Sequence, residues 1–332
     1  METRKVQVTG GSTYTVSLPK DWATANDVSA GSVVEFHDEE DLLVLTPQAE
    51  DEHTVGTLDI GELTDADELT RAVMTMYVSG FDVIRLESNR ITAAQRRTIR
   101  DATQRLVGLE VIEETGERVV LQDLLDSVEL SVNNAITRMR LVSLAMLEDA
   151  VEALVADDDE LAQDVIERDD DVDRLWYMVS RVFRTILRNP SEAAEIGFPR
   201  DTCFDFQSSA RQLERIADHA TKIAELALEV EAIPENAAEP LRRLRREASE
   251  VPETAMDALL TDDPEAATDL ASEARRGIAS VDATVREVDQ QIYEFDPQTV
   301  QVLGLVVDSL SRTADYGGNI AESALQKAAP RP

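Results

Sequence analysis

The sequence predicts a multidomain, mainly α chain: a small β unit at residues 1–48, a small α/β module at 54–125, and two antiparallel three-helix bundles at 129–231 and 236–328. Three observations predict it. Short polar–apolar alternations fill the first fifty positions. From about Glu129 onward, apolar residues recur at helical spacing almost without interruption. Within that stretch Arg312–Glu322 lines up with Arg215–Glu225, which marks an internal duplication of two three-helix units.

Composition bounds the rest. The 332 residues are 43% hydrophobic, enough to build sizeable cores. Cys203 is the one cysteine, so a disulfide framework and a thiolate metal site are excluded. No apolar run reaches the roughly 18 residues of a spanning helix and no signal-peptide pattern opens the chain, so a cytoplasmic protein, not membrane-embedded, is expected. Asp and Glu number 67 against 32 Lys and Arg, for a formal charge of -35. That charge is dispersed, with four lysines in all. At 1 M salt a Debye length of about 3 Å screens such self-repulsion. The pattern therefore reads as adaptation to a molar-salt cytoplasm, as in halophilic archaea.

Arg4–Val8 and Tyr14–Leu18 alternate like strands, with Gly10-Gly11 turning between them. One helical turn fits between Lys20 and Asn26. Gly31-Ser32 then leads into Val33–Phe36, and an acidic tip precedes Leu42–Leu45. Four short strands make a meagre core, for which dimerisation is the simplest remedy. The run Gly10-Gly11-Ser12-Thr13-Tyr14-Thr15-Val16-Ser17-Leu18-Pro19-Lys20-Asp21-Trp22, followed by Gly31-Ser32-Val33-Val34-Glu35, resembles the SpoVT/AbrB-type swapped-hairpin domain. The resemblance implies an intertwined homodimer with a small swapped-hairpin β-barrel that binds DNA, with Arg4, Lys5 and Lys20 as the contacts. Against it stand eight acids in residues 1–48, which oppose phosphate neutralisation. A unit that only dimerises is the competing reading.

In the module, Val55–Ile60 and Phe81–Glu87 read as strands and Ala66–Val78 as a helix. A second helix follows the Thr92 cap, with Gln95 at the capping-box position, and Gly108 stops it. Leu109–Glu113 is extended and Val119–Leu121 reads as a further strand, for a β-α-β-α-β packing module. No phosphate-binding loop or catalytic cluster occurs here, so the module is assigned no chemistry.

The helices are expected at 129–156, 160–188, 201–230, 237–260, 264–294 and 297–327, with Asp263-Pro264 and Asp296-Pro297 as starts. Helix two of the first bundle carries Asp169 and Asp173, and helix three carries Glu214 and Asp218. Each pair lies about 40° apart around its helix, so two carboxylate pairs can converge on one groove. Like charges so placed need cations, arginines or protons. A hard divalent cation fits, with His219 in reach for a borderline metal. A solvated acidic face is the alternative. The segments Val165-Ile166-Glu167-Arg168-Asp169 through Val172-Asp173, and Arg211-Gln212-Leu213-Glu214-Arg215-Ile216-Ala217-Asp218-His219-Ala220 with Ile223-Ala224-Glu225, are similar to the signatures of the PhoU family of phosphate-uptake regulators. That resemblance implies duplicated bundles and a metal site on Asp169, Asp173, Glu214 and Asp218, for a divalent or transition metal such as iron or zinc.

The second repeat departs from the motif. Ser311 stands at the Glu214 position and Ile278 at the Asp169 position, leaving Asp282 and Asp315 as a poor pair. Gly317-Gly318 inside a helix suggests a close helix contact or a kink. His37 and His53 read as surface residues, Trp22 and Trp176 as packing anchors, and Arg242–Arg246 as an ion-pair network. Taken together, the sequence predicts a non-enzymatic regulator of phosphate uptake and phosphate homeostasis that binds DNA through its first unit, with the bundles as the sensing or docking module. The alternative docks on a phosphate transporter or signalling kinase without touching DNA, and a metal-dependent phosphohydrolase is a distant third.

Overall fold

Gly10 and Gly11 take positive φ (64° and 83°) and fold β1 (Gln7–Thr9) back on β2 (Thr13–Thr15). The computed structural model describes residues 3–39, 42–47, 54–124, 131–189, 196, 198–230 and 232–330. His53, Gly197, the 125–130 link and the tip at 40–41 lie outside the described residues. The chain divides into two compact units, Met1–His53 and Thr54–Pro332.

In the first unit, α1 (Lys20–Ala25) follows the first hairpin, and β3 (Val34–Glu39) pairs antiparallel with β4 (Leu42–Pro47). The hairpins form two separate two-stranded sheets, and the described residues of one chain close no barrel. Val8, Tyr14, Val33, Phe36, Leu42 and Leu43 are all exposed, Tyr14 at 77%. Such small sheets lack a buried face of their own and are marginal in isolation.

The second unit begins with β5 (Val55–Asp59), α2 (Ala66–Val78), β6 (Val83–Glu87), α3 (Ala93–Gln104), β7 (Leu109–Glu114) and β8 (Arg118–Asp123). The sheet order is β5-β6-β8-β7, with β5 and β6 parallel and the other pairs antiparallel. Thr92 and Gln95 form the expected capping box. Gln95 also donates to the carbonyls of Ile60 and Leu63, tying α3 to the loop after β5.

Among the described residues six long helices follow: α4 (Val132–Ala156), α5 (Asp159–Arg188), α6 (Arg200–Glu229), α7 (Glu235–Leu260), α8 (Pro264–Ile292) and α9 (Pro297–Ala328). Adjacent aspartates turn α4 into α5. Asp157 ends α4 in the left-handed region (φ 55°), and the Asp158 side chain accepts from Leu161 N. Asp263 and Asp296 cap α8 and α9 ahead of their prolines, as the sequence predicts. Pro240 and Pro252 lie inside α7 without ending it. One apolar core runs through both bundles, from Val132 in α4 to Ala324 in α9. The basic run of α7 is an ion-pair network: Arg242 pairs with Glu152, Arg243 with Glu287, Arg245 with Glu148 and Arg246 with Glu239.

Arg181 of α5 joins the module to the bundles. It is 5% exposed. Its Nη1 donates to the carbonyls of Tyr77 and Phe81, both at 2.9 Å, and its Nε lies 2.8 Å from the Asp123 carboxylate. Its Nη2 reaches Asp82, whose other oxygen accepts from the Thr54 amide and hydroxyl. Arg188 caps the Ser79 carbonyl and Arg105 pairs with Asp170. Among the described residues, no helix is long and apolar enough to cross a membrane.

Candidate functional site

Helices α5 and α6 carry the acidic motif, and each buries an apolar stripe that includes Val165, Val172 and Val179 on one and Leu213, Ile216, Ala220 and Ile223 on the other. Burying those stripes against each other turns the flanking positions toward one seam. The four predicted carboxylates lie along that seam, near enough to feel one another's charge. The field of Asp218 acts on Asp169, Asp173 and Glu214, and that of Asp169 acts on Asp173.

Burial, then the Asp218 charge, pushes the Asp169 carboxyl up to about 6. Burial, then Asp169 and Asp218, takes Asp173 to about 7. Burial followed by Asp218 takes Glu214 to about 7. Asp218 is also raised by burial, while Arg211, His219 and Arg215 hold it back. The cause is shared: partial burial and neighbouring negative charge both favour the protonated form of a carboxyl.

Glu214 is the most deeply set of the four. It is 7% exposed. Arg211 pairs with its Oε1, while its Oε2 is buried without a hydrogen-bond partner. An orphaned buried carboxylate oxygen beside three further carboxylates is a donor set suited to a hard cation. Among the described residues, however, no three His, Cys, Asp or Glu side chains are already gathered as a ligand set. The fit is one of charge and oxygen donors, and loading would require the carboxylates to turn inward.

Two residues of the seam escaped the sequence analysis. Tyr177 lies four positions after Asp173, and burial followed by the charges of Asp173 and Glu214 pushes its phenol up to about 12. Thr221 lies three after Asp218. Its hydroxyl faces Asp169 and opposes the rise there, without closing a hydrogen bond of normal geometry. The spacing that paired the carboxylates also places these two on the seam, and a search for acids alone passes over them. His219 turns elsewhere: its Nε2 is 3.2 Å from the Tyr316 hydroxyl of α9. Burial lowers its pKa, with Lys222 adding to the effect. Trp176 lies under the Arg211 guanidinium, 5.2 Å from Cζ to ring centre. In the first unit Arg4, Lys5 and Lys20 are exposed, with Lys20 opening α1.

The raised carboxyls give a pH dependence. Between about pH 4 and 7 the folded chain holds protons that the unfolded chain has released, so stability falls as pH rises through that window. Metal-free protein should melt lower at about pH 8 than at about pH 5, and Asp173→Asn should narrow the difference. Thermal melts at the two pH values, with an unchanged gap in the variant, would contradict the shared-proton seam.

Comparison with known proteins places two matches on these regions. Residues 136–227, within α4 to α6, match the PhoU domain. Residues 7–52 match the antidote-toxin recognition MazE domain of bacterial antitoxins. The chain is 27% identical over 182 residues to a phosphate-specific transport system accessory protein PhoU homolog from Pseudomonas aeruginosa, covering 53% of this chain and 73% of that protein. The crystal structure of PhoU from Pseudomonas aeruginosa superposes with a TM-score of 0.51 at 25% identity, over 60% of this chain and 95% of the other. PhoU from Streptococcus pneumoniae, a phosphate transport system regulatory protein, gives 0.46 at 20% identity, over 58% and 91%. Both resemblances read from the sequence, SpoVT/AbrB-type and PhoU, thus coincide with a match on the same residues.

Proposed function

We propose that this chain is a cytoplasmic regulator of phosphate transport, working through its helical bundles as PhoU-like elements and through its first unit as a DNA-binding dimer. The observation that carries the reading is the coincidence of the 136–227 match with the α5–α6 seam, in a chain that covers nearly all of a PhoU structure. The chain acts as a regulator, not an enzyme: its charged seam lies along two packed helices, whereas catalysis calls for a concave, water-excluding site. Asp169, Asp173, Glu214 and Asp218 would hold a divalent or transition metal, such as iron or zinc, whose charge would add to that of Arg211 in offsetting the four carboxylates. Burial of Glu214 with an unpaired oxygen supports this.

For the first unit, the match over 7–52 and the exposed apolar residues support pairing with a second copy, with Arg4, Lys5 and Lys20 facing DNA. Coupling then follows from linkage: a ligand or partner that favours one arrangement of the bundles shifts occupancy at the DNA. The second reading keeps the phosphate role but docks the bundles on a transporter or signalling protein. The acid excess of residues 1–48 favours it, since phosphate neutralisation is the main source of DNA affinity.

One experiment tests both. Phosphate uptake would be followed in cells lacking the chain, in cells carrying it, and in cells carrying an Arg4→Ala/Lys5→Ala/Lys20→Ala variant. Uptake should lose its response to external phosphate without the chain and regain it with the full chain. Loss of control in the variant supports the DNA route, and full control moves the action to docking. Uptake that ignores the deletion overturns the proposal.

A further inference from the structure

The two repeats can be superposed by their own numbering. Arg215–Glu225 aligns with Arg312–Glu322, and Val172-Asp173 with Val281-Asp282. By these offsets Asp169 corresponds to Ile278 and Thr221 to Gly318. In the first bundle Asp169 and Thr221 face each other across the α5–α6 seam. In the second bundle their counterparts also meet: the Ile278 side chain fills the space beside Gly318 where a Cβ would stand, 2.7 Å from Ile278 Cδ1. A polar pair has been exchanged for an apolar one at the same point of the same helix pairing.

The remaining positions changed with it. Ser311 stands where the first bundle buries Glu214, so the orphaned carboxylate oxygen has no counterpart. Asp315, at the Asp218 position, is exposed and lies 3.6 Å from Arg312. Asp282, at the Asp173 position, is exposed as well. The α8–α9 seam therefore offers two exposed acids beside a closed apolar contact, whereas the α5–α6 seam offers the buried Glu214 and the half-buried Asp169 and Asp173 alongside the exposed Asp218.

We infer that the chain has one cation centre, in the first bundle, and that Ile278 closing on Gly318 has converted its repeat into a purely structural contact. This rests on the cation reading of the α5–α6 seam proposed above. A divalent ion needs several oxygen donors to replace its water shell. Two exposed acids, one of them held by an arginine, do not supply them.

Metal content separates this inference from the reading beneath it. The full-length chain would be equilibrated with Fe²⁺, Mn²⁺ or Zn²⁺ alone, gel-filtered and analysed for metal per chain, with melting temperature as a second readout. Wild type should carry metal and melt higher with it. An Asp169→Asn/Asp173→Asn variant should lose essentially all the metal together with the metal-dependent rise in melting temperature. An Asp282→Asn/Asp315→Asn variant, altered at exposed positions, should keep both. Retention of about half the wild-type metal by the first variant, or loss of about half by the second, would overturn the single centre. A wild-type chain that takes up no metal at all would instead overturn the cation reading, and the single centre with it.

Discussion

Replacing Arg181 by alanine should destabilise the second unit by about 3–5 kcal/mol, the usual cost of stripping one partner from a buried ion pair. The guanidinium is nearly sealed from water, and the Asp123 carboxylate beside it has only 8% of its side chain exposed. Without the arginine, that buried carboxylate loses the guanidinium charge beside it, and the carbonyls of Tyr77 and Phe81 lose their donor. The same change frees Asp82, which anchors Thr54 at the start of the unit. A fall in melting temperature on the order of 10 °C is expected. The compensated pair Arg181→Met/Asp123→Leu should recover part of it, because removing both charges also removes the desolvation cost. A loss below about 1 kcal/mol in the single variant would place Arg181 among ordinary surface pairs and defeat the argument.

The second large effect comes from neighbouring glycines with opposite expected outcomes. A Cβ on Gly317 would lie 2.5 Å from the backbone nitrogen of Pro252 and 2.9 Å from its Cα. Backbone cannot rotate out of the way, so Gly317→Ala must push α9 off α7. Overpacking of this kind costs about 1–3 kcal/mol. The gain in helix propensity on replacing glycine is about 1 kcal/mol, so the net loss is up to about 2 kcal/mol. Gly317→Val should cost more again. At Gly318 the obstacle is the far end of Ile278, which can change rotamer, so Gly318→Ala should be close to neutral. Chemical denaturation of the two alanine variants provides the comparison. Equal losses, or a stabilised Gly317→Ala, would mean that the helices give way at Pro252.

These two sites also show how far the sequence could be read. The glycine pair was legible as a close contact because two glycines in a helix are costly unless something needs the room. Its partners, Pro252 and Ile278, lie 65 and 40 positions away and leave no local trace. The caps at Thr92, Asp263 and Asp296 were legible because capping is decided within four residues. Pro252 inside α7 runs against its own local signal, and tertiary packing overrides it. Arg181 looked like one more arginine on a helix. Its role appears only when β6 and β8 bring Asp82 and Asp123 to it. For the acidic seam, helical spacing brought the four carboxylates to one side. The burial of Glu214 depends on how α5 and α6 settle together, which the spacing of one helix does not contain.

The shared core of the bundles has a consequence for how the chain is made. Val132 and Ala324 belong to one apolar body, and α4 and α6 of the first repeat pack against α7 and α9 of the second. During synthesis the first bundle leaves the ribosome with that face bare, and it stays bare until nearly the last helix has emerged. A translation pause or premature stop after Pro234 would release a three-helix fragment displaying a sticky surface, a substrate for chaperones and proteases. The duplication repeats the helices without yielding two independently maturing halves.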